Sequence, residues 1–345
     1  MLDRVFDGEG VPGDADGVRK PVDRIGAGLT EPQEADKMAK QGWTAAAMPP
    51  QAGKTVLVTG ANSGVGFQAA RELARHGARV LLGVRDAGKG EAARNRILAE
   101  LPQAQVAIVP LDMASLASIK GFAGEFVSGG GQMDVLVNNA GVMALPKREQ
   151  TADGFERQFG TNHLGHFALT GLLMPALLKG PAPRVVTVAS LAHRNGKMEW
   201  DNLQGEKSYS PWGAYNLSKL ANILFARELD RRAREAHSKL MSIAVHPGIS
   251  RTNIAAPGTD FKSRMARLIG PLLFQNDEMG ALPTLYAATA PEAQGGQYIG
   301  PNGRGEAGGY PKVVQPRPQA LDDQAGRRLW TVSEQLTGVV YPPLA

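Results

Sequence analysis

Six short runs of consecutive apolar, largely β-branched residues punctuate the chain: residues 55–59, 79–84, 106–111, 135–138, 184–189 and 242–246. Their length and the absence of polar alternation predict strands buried on both faces. Between them apolar residues recur at helical spacing, as over residues 66–76 and 119–126. Strand and helix in alternation, joined by right-handed crossovers, predict an α/β domain on a doubly wound parallel sheet, the Rossmann fold.

The pattern fails at the N-terminus. Residues 1–40 hold nine acidic side chains, six basic ones and six glycines with few large apolar residues, too little to bury for order on their own. Residues 1–48 are therefore expected to form a polar tail or wrapping arm. Met48-Pro49-Pro50 marks the join, and residues 49–345 form the single domain, with a substrate-loop region over about residues 249–285.

Composition narrows the function. With 43% hydrophobic and 21% charged residues the chain has the balance of a soluble globular protein. The longest apolar candidate, residues 167–178, is broken by Thr170, Gly171 and Pro175, so no transmembrane segment is expected. The first residues lack the basic-then-apolar order of a secretory signal, and a cytoplasmic location is expected. The 345 residues contain no cysteine, which excludes disulfides, thiolate metal sites and a cysteine nucleophile. A net charge of +5 spread along the chain, without basic runs interleaved with aromatics, argues against a nucleic-acid partner. No metal-ligating cluster stands out; His163 and His166 read as structural.

The first strand runs into Thr59-Gly60-Ala61-Asn62-Ser63-Gly64-Val65-Gly66, followed by a helical pattern. In that context Gly60 permits the sharp turn, Gly64 lets backbone amides approach a pyrophosphate, and Gly66 allows close helix–strand packing. The spacing is G-x-x-x-G-x-G rather than the commoner G-x-G-x-x-G. At the tip of the second strand Val84 stands where an acid selecting NAD is expected, and Arg85 and Lys89 follow. This favours NADP (NADPH) over NAD, with Arg85 on the 2′-phosphate. The alternative reading makes Arg85 a solvated arginine and Asp86 the ribose ligand.

Tyr215 and Lys219 stand four apart at the start of a helical pattern and so share one helix face. A tyrosine hydroxyl titrates near ~10, and an adjacent ammonium is expected to lower that value into a useful range. Ser190, at a strand end, is placed to donate a hydrogen bond to a substrate oxygen while Tyr215 exchanges the proton.

These residues, with Asn138-Asn139-Ala140-Gly141, Asn162 and Pro247-Gly248, together resemble the short-chain dehydrogenase/reductase family over roughly residues 53–305. Within it, Thr161-Asn162-His163-Leu164-Gly165-His166-Phe167 and the segment from Tyr215 to Asn222 resemble the retinol-dehydrogenase-like branch. The resemblance implies hydride transfer between a nicotinamide and a small-molecule carbonyl or alcohol. It implies a catalytic set of Asn162, Ser190, Tyr215 and Lys219, with Asn162 holding a water linked to Lys219 and Lys219 also on the nicotinamide ribose. It further implies cofactor contacts by Gly60, Asn62, Ser63, Gly64, Val65 and Gly66 at the turn, by Asp112 and Met113 near the adenine, and by Asn139, Ala140 and Gly141. Pro247, Gly248, Ile249 and Thr252 would meet the nicotinamide. Asp112 as an ordinary helix cap and Asn162 as a buried polar bond within a helix are the bland alternatives.

Met198, Trp200, Tyr209 and Trp212 lie between Ser190 and Tyr215 and are expected to wall a pocket for a bulky apolar substrate. Phe261, Met265, Leu268, Ile269, Leu272, Leu273 and Phe274 read as pocket lining, a lid, a membrane contact or a subunit interface, so a homo-oligomer is left open. Two other functions compete. One is a nucleotide-binding redox sensor without catalysis. The other is C=C reduction of the protochlorophyllide-reductase type, whose members carry a cysteine where this chain has Ala221.

Overall fold

The computed structural model describes residues 42–249 and 275–345. Seven parallel strands and one antiparallel strand form a single sheet in the order β3-β2-β1-β4-β5-β6-β7-β8. They are β1 (Thr55–Thr59), β2 (Arg79–Val84), β3 (Val106–Pro110), β4 (Val135–Asn138), β5 (Arg184–Val188), β6 (Met241–Val245), β7 (Tyr298–Pro301) and β8 (Pro311–Val313). The six expected strands are present; β3 and β5 stop one residue early, and β6 lies one residue earlier in the chain. β7 and β8 carry too short an apolar signal to be read from the pattern. β8 is a three-residue edge strand that begins at a proline, which suits a position where one side needs no ladder bond.

Among the described residues, seven α-helices longer than one turn follow the strands: α1 (Gly64–Arg75), α2 (Ala87–Glu100), α3 (Leu116–Ser128), α4 (Gly165–Leu177), α5 (Pro211–Glu235), α6 (Asp277–Thr289) and α7 (Asp323–Thr337). Alternate residues of β1 to β5 feed two cores, as strands buried on both faces require. Val56, Val58, Val80 and Leu82 pack against Phe67 and Leu73 of α1, Ile97 of α2 and Leu285 of α6. Leu57, Leu81 and Leu136 point the other way, against Ile119 of α3, Phe167 and Leu173 of α4, Phe225 of α5 and Trp330 of α7. The apolar run over residues 167–178 is thus a core helix. It continues through Pro175, and Gly171 leaves room for Tyr341 and Val339.

Because β1 to β7 are parallel, their C-terminal ends gather at one edge, and the chain order reverses between β1 and β4. That switch point is where a doubly wound sheet leaves a crevice for ligands. Packed chain already precedes β1: Met48 is buried, and the Trp43 ring meets Tyr286 edge-on at 5.4 Å between centroids.

Candidate active site

At the switch point lies a cleft of about 420 Å³. Its floor is the turn from β1 into α1. Gly60 and Gly64 have φ of +67° and +59°, a region that other residues enter only with strain. A Cβ on Gly66 would strike the side-chain amide of Asn139, which donates to Thr59 O at 2.8 Å. The third glycine therefore makes room for a cross-link to β4 rather than for strand packing alone, a correction to the sequence reading. Thr59 Oγ1 also accepts the amides of Asn139 and Ala140, both at 2.9 Å, which locks the ends of β1 and β4 together.

The first turn of α1 has no intrahelical acceptors for its amides, and Ser63 supplies no side-chain cap. Gly64, Val65 and Gly66 line the cleft. Open amides at the positive end of a helix dipole suit a pyrophosphate. Gly60, Asn62 and Ser63 line the same cleft, as do Asp112, Met113, Asn139, Ala140 and Gly141. Asp112 does not cap α3; Ser115 does, and the Asp112 carboxylate instead accepts Ala114 N–H at 2.9 Å. Arg85 and Lys89 are exposed on the cleft wall and form no ion pair among the described residues. Asp86 caps α2, accepting Lys89 N–H at 3.0 Å, so its side chain already has an occupation.

The opposite wall carries the polar chemistry. Ser190, Tyr215 and Lys219 all line the cleft, with Val188 and Ala189 of the β5 end beside them. The Ser190 hydroxyl caps a short 3-10 turn, Leu191–Asn195, accepting Ala192 N–H at 3.2 Å. The α5 spacing brings Lys219 Nζ to 5.8 Å from the Tyr215 ring centroid. Lys219 is buried and donates to Val188 O at 3.0 Å. Burial pulls its pKa down to about 8. Burial pushes the Tyr215 hydroxyl up, against the hydrogen bond of Ser190, so the expected lowering by Lys219 is not found. Desolvation is the largest cause because the Tyr215 side chain is withdrawn from water, and only the Ser190 hydrogen bond opposes it.

Asn162 sits in a π turn, Gly160–Leu164, rather than in a regular helix. Its side chain is engaged at both ends. Oδ1 accepts Val142 N–H at 2.8 Å, and Nδ2 donates to Val142 O at 3.0 Å and to Ser218 Oγ at 2.9 Å. Its carbonyl accepts from His166 Nδ1 at 3.0 Å, and His166 Nε2 meets Thr59 Oγ1 at 2.9 Å. Asn162 therefore braces the loop after β4 against α5. Burial holds His163 at about 3 and His166 at about 4, so both are neutral at physiological pH.

Pro247 lines the cleft, and Gly248 and Ile249 continue its turn beyond β6; Thr252 and the apolar residues 261–274 lie outside the described residues. The residues expected between Ser190 and Tyr215 divide. Met198 and Trp200 line a separate cleft with Leu220 and Gln319, and the Arg328 guanidinium sits 4.4 Å from the Trp200 ring. Tyr209 donates to Leu145 O at 2.8 Å. Trp212 remains 55% exposed, edge-on to Tyr215 at 6.0 Å. Gln158 was not evident in the sequence. It is buried, accepts Ala144 N–H at 2.7 Å and donates to Tyr209 and Pro211, tying the β4 loop to the start of α5.

Comparison with known proteins agrees with this geometry. A family model described as short chain dehydrogenase matches residues 54–262. The chain is 41% identical over 303 residues to Retinol dehydrogenase 14 of Mus musculus, covering 84% of this chain and 87% of that one. It is 41% identical over 297 residues to Polyprenol dehydrogenase of Mus musculus, covering 84% and 86%. The crystal structure of an uncharacterized protein from Mycobacterium Paratuberculosis superposes with a TM-score of 0.74 at 44% identity, covering 88% of this chain and all of that one.

Proposed function

The chain belongs to the short-chain dehydrogenase family, and from that premise we propose that it is an NADP-dependent oxidoreductase that interconverts a bulky apolar alcohol and its carbonyl compound. One observation carries the reading. The proton-handling trio Ser190, Tyr215 and Lys219 shares a single cleft with the open α1 amides and with Arg85 and Lys89, which form no ion pair among the described residues.

The residues fit the cofactor from end to end. Arg85 and Lys89 would hold a 2′-phosphate, the amides at Gly64 to Gly66 the pyrophosphate, Lys219 the nicotinamide ribose and the Pro247 turn the nicotinamide itself. When bound, the nicotinamide supplies or accepts the hydride. Tyr215 holds the proton at its hydroxyl oxygen, because burial favours its neutral form, and delivers it to the substrate oxygen as negative charge develops there. Ser190 donates to that oxygen and fixes its direction. Lys219 offsets the phenolate left behind. Asn162 keeps the β4 loop and α5 in register, so that Tyr215 and Lys219 face the cleft.

The bulky apolar substrate is supported by the relatives named for retinol and polyprenol and by the exposed indole of Trp212 beside Tyr215. The test is oxidation of NADPH and of NADH, followed optically, with the aldehyde of retinol, a polyprenal and small ketones. The proposal expects turnover of the long apolar aldehydes with NADPH preferred. Tight NADPH binding without turnover of any carbonyl compound would favour the redox sensor instead.

A further inference from the structure

Behind Ser190 and the Pro247 turn lies a polar cluster that the chemistry above does not use. Glu306 stands at its centre. One carboxylate oxygen meets His246 Nε2 at 2.9 Å and the other meets Arg194 at 2.8 Å. His246 immediately precedes Pro247-Gly248, and Arg194 lies in the 3-10 turn that Ser190 caps. We propose that Glu306 is a positioning residue for hydride transfer: its carboxylate joins the turn that faces the nicotinamide to the turn that carries Ser190, and so sets the spacing between them. The inference rests on the oxidoreductase reading above.

The protonation pattern is determined by the partners. His246 Nδ1 accepts Gly248 N–H at 3.2 Å, so Nε2 carries the proton and donates to Glu306. His246 is fully buried, and a Cβ on Gly300 would collide with its ring, so the imidazole has no other place to go. His193, beside Arg194, accepts Arg317 N–H at 3.3 Å on Nε2 and meets Ser190 O at 2.7 Å with Nδ1. The His246 end of the link is therefore fixed through a neutral imidazole, and His193 holds the Ser190 turn that carries Arg194. Burial pushes the Glu306 carboxyl up, but its bonds to His246 and the Arg194 charge more than offset this and keep it ionised.

The backbone around Glu306 shows that the position is enforced. Glu306 itself has φ +60°, a left-handed conformation that a residue with a side chain adopts only when its surroundings hold it there. Ile249 N–H donates to Ala307 O at 2.8 Å, and Gln275 bonds both Pro247 O and Gly309 N–H. A loop so tethered transmits the Glu306 contact to the cleft instead of absorbing it.

Glu306→Ala removes both arms of the link. Glu306→Gln keeps an acceptor for His246 but turns its amide toward Arg194. Misplacement of reacting groups by about 1 Å costs on the order of a hundredfold. Glu306→Ala should therefore lower kcat by about tenfold to a hundredfold, with Glu306→Gln between it and wild type, while KM for NADPH moves by less than about threefold. The enhancement of NADPH fluorescence on binding, which reports how firmly the nicotinamide is held, should fall in the same order at nearly unchanged affinity. This second measurement needs no substrate, so it decides the role of Glu306 even if wild type reduces none of the aldehydes. Arg194→Met cuts one arm and serves if the Glu306 variants do not fold. Turnover within twofold of wild type with unchanged fluorescence would overturn the proposal, as would activity that falls only in step with the folded fraction in thermal melts.

Discussion

Raising the pH through about 8 should discharge Lys219, because burial has brought its pKa down from 10.5 to that value. The shift corresponds to about 3 kcal/mol of lost hydration. The charge is thus available at neutral pH and easily removed. Sign and window follow from one titration: the ammonium is about nine-tenths populated at pH 7, half at pH 8 and about one-tenth at pH 9. Both roles assigned to Lys219, holding the ribose and offsetting the phenolate, need the charged form. Values of kcat/KM report ionisations of the free enzyme. The assay is therefore kcat/KM for NADPH at a fixed excess of aldehyde from pH 6 to 10. It should be level to about pH 7.5 and then fall, approaching tenfold per pH unit. Lys219→Met should show a low value without that limb. A wild-type profile flat to pH 9.5, or the same limb in Lys219→Met, would refute the assignment.

Arg85→Ala should weaken NADPH by about ten- to thirtyfold through one charge-assisted contact in an exposed setting, and NADH hardly at all; equal effects on the two KM values would show that Arg85 does not meet the 2′-phosphate. Stability should fall on acidification below about pH 6. His163 and His166 titrate in the folded protein at about 3 and 4, whereas the unfolded chain takes up their protons near 6.5, at about 1.4 kcal/mol per proton per pH unit. A melting temperature unchanged between pH 7 and pH 4.5 would contradict this. A chain beginning at Gly42 should melt and turn over like the full protein, since the catalytic and cofactor candidates lie beyond residue 53. Starting at Pro49 removes Trp43 and buried Met48 and should cost about 2–5 kcal/mol of stability, read as a lower melting temperature.

What the sequence revealed was local. The β-branched runs, the three glycines of the β1 turn and the four-residue step from Tyr215 to Lys219 each need only a few neighbours to be interpreted, and the glycines and the Tyr215–Lys219 pair line the cleft. What it concealed depends on contacts between distant segments. Glu306 reads as one more charged loop residue until β7 and β8 bring it to His246, and Gln158 reads as a helix-start polar residue until α5 closes over it. The direction of the Tyr215 shift was missed for the same reason. Helical spacing reports that an ammonium is near, but not that both groups have been withdrawn from water. Half of the expected pocket wall was misplaced similarly, because chain position between Ser190 and Tyr215 does not say which cleft Met198 and Trp200 face.

The central claim is that Tyr215 is the proton donor of a carbonyl reductase site. Tyr215→Phe preserves the ring, its contact with Trp212 and the packing of α5 while removing the only exchangeable proton of the side chain. Steady-state NADPH oxidation with the aldehyde of retinol, run beside NADPH titrations and thermal melts, is the direct measurement. The account predicts a loss of about a hundredfold or more in kcat, with NADPH affinity and melting temperature nearly unchanged. A Tyr215→Phe protein that folds, binds NADPH and reduces the aldehyde at the wild-type rate would contradict it.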